Sequence, residues 1–134
     1  MDAMVINRNL LSILVVDQDK DMLDLLEDEI TDMGHRVTRV SEELNAIVKA
    51  SEERFDIVIA QMEISGPIAS RLLTYLKRLQ PEASIVAMTG LGPESAIREA
   101  LKSGADYHVA KPIAMESLKD FISHLGRERF KHTG

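Results

Sequence analysis

Two hydrophobic periods alternate along the chain. Short apolar runs rich in Val and Ile occupy residues 13–16, 37–40, 57–60, 85–88 and 107–110. Runs without polar alternation suit strands covered on both faces, the mark of a parallel sheet. Between them the apolar positions recur at helical spacing. Met22, Leu23, Leu26, Ile30 and Met33 form one stripe, and Leu44, Ile47 and Val48 a second. Ile68, Leu72, Leu73, Leu76 and Leu79 form the third, Ile97, Ala100 and Leu101 the fourth, and Met115, Leu118, Phe121, Ile122 and Leu125 the fifth. Gly34, Gly104 and Gly126 each stand just past a stripe, where a helix end favours a left-handed residue. Pro67 and Pro93 suit the first helical position, where a missing N–H costs nothing. Five strand–helix units in succession predict an α/β domain: an open parallel sheet, helices on both faces, right-handed crossovers.

The 134 residues suit a single domain, with its core over residues 10–126 and a short head and tail. Composition narrows the function classes. With 45% hydrophobic and 28% charged residues the chain reads as globular, and no apolar run approaches a membrane span. The start, MDAMVINRN, lacks a basic segment followed by an apolar one, so no secretory signal is expected and the default location is cytoplasmic. Zero cysteines exclude a disulfide scaffold, a thiolate metal site and a catalytic Cys. A net charge of −6 disfavours direct nucleic-acid binding, because phosphate neutralisation supplies most of that affinity. The one basic cluster, Arg127, Arg129 and Lys131, is interrupted by Glu128 and reads as a solvated helix end.

In sheets of this kind ligands bind beyond the carboxyl ends of the strands, where strand order reverses. The residues there are Asp17-Gln18-Asp19 after the first run, Gln61 after the third, Thr89-Gly90 after the fourth and Lys111-Pro112 after the fifth. An acid, a hydroxyl and a lysine converge on one crevice. Any one of them is ordinary after a buried strand, but the set together reads as a site.

Four segments carry a resemblance. ILVVDQD is similar to the first strand and acidic pair of the receiver domain of two-component response regulators, and FDIVIAQMEI to its third strand, which normally ends in the phosphoacceptor Asp. SIVAMTG resembles its fourth strand with a hydroxyl, and GADYHVAKP its fifth with the Lys-Pro signature. The match covers roughly residues 10–125 and implies a flavodoxin-like (βα)5 doubly wound sheet of strand order 2-1-3-4-5. It also implies a place in phosphorelay signalling rather than an enzyme's, with a protein partner docking on the fourth helix, fifth strand and fifth helix, around Arg98, Lys102, Tyr107 and His108.

The departures from that family are informative. Gln61 stands at the phosphoacceptor position, and a neutral carboxamide has no anionic oxygen with which to attack a phosphohistidine. Gln18 replaces one of the acids that hold magnesium, a cation wanting hard carboxylate oxygens, so Asp17 is the remaining pocket acid and Mg²⁺ binding is expected to be weak or absent. Ile64-Ser65 and Ile68-Ala69 replace the family's Met-Pro and Asp-Gly, and Glu63 lies where the family offers the metal a backbone carbonyl. Retained are Thr89 at the switch-hydroxyl position and Lys111, which contacts the phosphoryl group in receivers. His108 takes the aromatic switch position, either as a pH-sensitive partner contact or as a half-exposed edge-strand residue, with Tyr107 on the opposite face.

These features imply a phosphorylation-independent receiver acting as an interaction module. A functional phosphoacceptor using a substitute acid, Asp17 or Asp19, is the alternative. Flavin-type cofactor binding is disfavoured, because the acids of DQDKDM repel a phosphate. A buried lysine without a partner is costly, so Lys111 is expected to bond Asp17 or the Gln61 carbonyl oxygen, directly or through water. A cis bond is expected between Lys111 and Pro112. The segment RERFKHTG supplies no output domain, so the chain reads as a stand-alone receiver or as a piece of a longer regulator or hybrid kinase.

Overall fold

The computed structural model describes residues 10–62, 67–90 and 94–133. Strands and helices alternate strictly: β1 Ser12–Val16, α1 Lys20–Asp32, β2 Arg36–Val40, α2 Glu43–Glu52, β3 Ile57–Met62, α3 Pro67–Leu79, β4 Ser84–Thr89, α4 Glu94–Ser103, β5 Tyr107–Ala110 and α5 Met115–Thr133. Every strand pairing is parallel, and the sheet runs in the order β2-β1-β3-β4-β5. The five apolar runs therefore became the five strands, each within two residues of its expected bounds.

Alternation along the central strands divides the core in two. Val58 and Ala60 of β3 with Ile85 and Ala87 of β4 pack under Leu72, Leu73 and Leu76 of α3, together with Ala46 and Ala50 of α2 and Ala100 of α4. Ile57, Ile59, Val86 and Met88 turn to the other face, against Leu23, Leu26 and Ile30 of α1 and Leu118, Ile122 and Leu125 of α5. Gly34 and Gly104 adopt φ of 98° and 135°, as the helix-end reading requires. At Gly104 a Cβ would stand 3.0 Å from the Leu73 carbonyl oxygen, so the turn after α4 also needs the missing side chain for close approach to α3. Pro67 opens α3 as expected, while Pro93 lies outside the described residues.

Three expectations fail, each for a packing reason. Helix α2 was expected to bury Leu44, Ile47 and Val48, yet Leu44 is 66% and Val48 47% exposed. The helix turns Ala46 and Ala50 inward instead, with Ile47 at their edge, because small residues let it lie close to the sheet. At the far ends of their stripes Leu79 and Leu101 are likewise exposed, and the buried position after Leu76 goes to Gln80. The Gln80 amide donates to the carbonyl oxygens of Ala50 (2.7 Å) and Glu53 (2.5 Å), and its oxygen accepts from the Phe55 N–H at 3.0 Å. One side chain thus satisfies the backbone leaving α2, which favours a buried amide over a leucine there.

Gly126 is the third. It does not end α5, which continues to Thr133; it is buried inside the helix, where a Cβ would stand 3.4 Å from the Leu11 side chain. Arg129 is accordingly no solvated helix end. Its Nε donates to Asp56 Oδ1 at 3.2 Å and its Nη1 to the Glu82 carbonyl oxygen at 2.9 Å, which ties α5 across the amino ends of the strands. Asp56 Oδ2 accepts from the Ser12 N–H at 2.8 Å.

Beside this tie lies buried His35, whose Nδ1 accepts the Leu11 N–H at 3.0 Å. An accepting nitrogen carries no proton, and burial holds the ring below the ordinary histidine range, against the opposing pull of the Asp56 carboxylate. Near and below pH 6.5 the unfolded chain then binds more protons than the folded one, so folding stability is complete at higher pH and falls as pH drops through that range. Urea unfolding between about pH 8 and pH 5 should show this loss, up to the ~1 kcal/mol of one buried hydrogen bond. His35→Asn, whose amide oxygen can accept the same N–H, should flatten the slope; an unchanged slope in the variant overturns the assignment.

Candidate functional site

The polar residues gather where the strands end. Val16 of β1 pairs with Ala60 of β3, so the next residues, Asp17 and Gln61, follow at one level on neighbouring strands. Gln61 pairs in turn with Met88, and Thr89 with Ala110, which precedes Lys111. Asp17, Gln61, Thr89 and Lys111 thus line one edge of the sheet in spatial order.

Asp17 is buried, its side chain wholly covered. Its Oδ2 faces Lys111 Nζ at 3.3 Å, the direct contact expected for that lysine, and its Oδ1 accepts the Asp19 N–H at 2.9 Å. Both carboxylate oxygens are engaged, and the lysine, 19% exposed, brings its charge to the acid rather than to solvent. The Lys111–Pro112 bond is cis, as expected. The Lys111 N–H donates to the Thr89 carbonyl oxygen at 2.7 Å, and Thr89 Oγ1 lies 2.5 Å from His108 Nε2. Three short contacts therefore connect the ends of β1, β4 and β5.

His108 is half-buried on the edge strand β5, with its Nε2 turned to Thr89. Tyr107 takes the opposite face, as strand alternation requires, and meets Phe121 of α5 edge-on with ring centres 5.0 Å apart. Gln61 is half-buried, and alternation sets it on the face of Ile57 and Ile59. Glu63, Ile64 and Ser65 lie outside the described residues.

Two residues of the first loop are not drawn into the group. Asp19 caps α1, its Oδ1 accepting the N–H of Asp21 at 2.9 Å and of Met22 at 3.4 Å. Gln18 is exposed and lines a separate cavity of about 370 Å³ with Lys20, Leu23, Arg39, Val40 and Ser41. The cations of that cavity are occupied: Lys20 pairs with Asp24 at 2.9 Å, and Arg39 with Asp24 at 2.5 Å and Glu27 at 2.9 Å. Hydrogen bonds from Lys20 and then Arg39 hold the Asp24 carboxyl below its ordinary range. Arg39 gave no signal in the sequence, because its partners lie 15 and 12 positions away. Gln80 and His35 were equally silent; their only trace was a polar residue where the helical or strand pattern calls for burial.

A divalent cation does not fit these donors. Magnesium needs several free hard oxygens, whereas Asp17 has both of its own engaged, Gln18 turns away and Gln61 offers an amide. Among the described residues no group of three or more His, Asp or Glu stands together as a metal site. Nor is any helix among them long and apolar enough to cross a membrane.

Comparison with known proteins agrees with the fold. The chain is 30% identical over 121 residues to the transcriptional regulatory protein ZraR of Klebsiella oxytoca, covering 90% of this chain and 26% of that protein. It is 27% identical over 110 residues to sporulation initiation phosphotransferase F of Bacillus subtilis, covering 82% and 89%. It thus spans about a quarter of the first relative and most of the second. Among solved structures, a response regulator of Thermotoga maritima superposes with a TM-score of 0.80 at 17% identity, covering 88% of this chain and 98% of that one. A two-component response regulator of Clostridium difficile gives 0.78 at 25%, covering 87% and 95%. The family model of the response regulator receiver domain matches residues 13–123, and the chain belongs to that family.

Proposed function

We propose that this receiver domain works without aspartyl phosphorylation, as a protein-interaction module in two-component signalling. The observation that carries the reading is the state of its carboxyl edge. Gln61 follows the Ala60–Val16 pair at the level where an attacking carboxylate is needed, and the neighbouring acid, Asp17, is buried and held by Lys111. Acyl-phosphate formation requires a free anionic oxygen to attack phosphorus while the donor leaves. Gln61 has none.

The alternative reading, a working phosphoacceptor with a substitute acid, finds little support. Asp17 is enclosed and engaged at both oxygens, and Asp19 is occupied as the cap of α1. The same donor set supports weak or absent Mg²⁺ binding at this edge. For the partner we assign the surface of α4, β5 and α5, where Leu101 and Tyr107 are exposed apolar residues beside Lys102. With no membrane-spanning helix among the described residues, a cytoplasmic location suits this role.

Two measurements test the reading. Incubation with a small phosphodonor and millimolar Mg²⁺ should leave the intact mass unchanged. A stoichiometric, base-labile added phosphoryl group overturns the proposal. Calorimetry should register Mg²⁺ binding in the double variant Gln18→Asp/Gln61→Asp and little in the unmodified protein or either single variant, because only the double restores three acids.

The pair itself has a stability signature. Lys111→Ala leaves a covered carboxylate facing no cation and should cost about 2–3 kcal/mol in denaturant unfolding at neutral pH. Asp17→Asn leaves an ammonium that can reach solvent along its stem and should cost about 1 kcal/mol. Equal losses, or none, mean that the contact does not hold this edge.

A further inference from the structure

The outward faces of α1 and α3 match each other. On α1, Asp21, Leu25 and Asp28 are exposed at positions i, i+4 and i+7, one face of a helix. On α3, Arg71, Tyr75 and Arg78 are exposed at the same spacing, with Leu79 beside them. In each triplet the two charges lie roughly 10 Å apart along the axis, at 1.5 Å per residue, with a large apolar side chain between them. The signs are opposite.

Several neighbouring charges are already answered within the domain, while exposed Asp32, one turn beyond Asp28, extends the acidic stripe. Asp24 and Glu27 face Arg39, Glu29 faces Lys119, and Lys77 of α3 faces Asp106. Asp21, Asp28, Arg71 and Arg78 meet no ion-pair partner among the described residues. Since α1 covers one face of the sheet and α3 the other, the two stripes cannot meet within one molecule.

We infer that the occupant of the α3 face is α1 of a second copy of this chain. Laid antiparallel, the helices set Asp21 against Arg78 and Asp28 against Arg71, with Leu25 on Tyr75. An aromatic centre with a charged rim is the common form of a small interface. The contact joins two different surfaces, so each copy keeps a free α1 and a free α3 stripe, and association grows head to tail with concentration rather than stopping at a symmetric dimer. This surface is separate from the α4–β5–α5 face and independent of the chemistry at the carboxyl edge.

Exposed ion pairs are weak and screened by salt, with a Debye length of about 10 Å at 0.1 M and about 3 Å at 1 M. Sedimentation velocity at 0.1 M salt should therefore show a weight-average coefficient rising with protein concentration, and the association should weaken about tenfold or more at 1 M. Arg71→Glu/Arg78→Glu and Asp21→Lys/Asp28→Lys should each stay monomeric at 0.1 M, with thermal melts showing both folded. Mixed one to one, they should associate again, because each carries the complement of the other's altered stripe. A protein that stays monomeric to about 1 mM at low salt overturns the inference. So does association that survives both charge reversals, or a mixture that stays monomeric.

Discussion

A parallel sheet covered on both faces leaves polar side chains only one place to stand, the ends of its strands. Here β1 and β4 are apolar and buried almost throughout, so the polar groups that the sheet covers stand at one edge or the other. The carboxyl edge collects Asp17, Thr89, His108 and Lys111; the amino edge collects His35, Asp56 and Arg129. Neither set is contiguous in sequence, yet each is contiguous in space because five strands in fixed register deliver their ends to one level.

The two edges answer their burial differently. At the amino edge side chains substitute for missing strand partners: His35 and Asp56 accept the N–H groups of Leu11 and Ser12 before β1 is fully paired. Asp106 does the same for Ile85 at 2.8 Å. Such bonds to otherwise orphaned backbone donors are structural, and losing one leaves a buried N–H unsatisfied. At the carboxyl edge the bonds run between strands instead: Lys111 to Asp17, His108 to Thr89. There Lys111 and Asp17 make a locally neutral pair.

The inner strands were legible in the sequence because a strand covered on both faces is apolar at nearly every position, a signal that survives without knowing its neighbours. Helices were legible as elements but not always as faces. In α2 the larger residues, Leu44 and Val48, pointed to the wrong side, since distance to the sheet, not residue size, decides which stripe is buried. Gly126 read as a helix stop because its conformational freedom is visible in sequence, while its close approach to Leu11 is not. The carboxyl-edge residues were found through their places after strands. The contacts of Gln80, Arg39 and Arg129 cross between elements far apart in the chain, and no local pattern encodes them.

The end of β5 is fastened to β4 by the Thr89–His108 bond and by the Lys111 N–H on the Thr89 carbonyl oxygen, and to β1 through Lys111 and Asp17. Tyr107, on the other side of the same strand, leans on Phe121 of α5. Moving β5 outward breaks two hydrogen bonds and an ion pair together, each worth about 1 kcal/mol or more when partly buried. A ligand shifts an equilibrium only by its differential affinity for the two states, so a partner touching Tyr107 must supply several kcal/mol to rearrange this face. Recognition of the existing surface is therefore the less costly course, and the fastening that holds Lys111 in place also keeps that surface in one form.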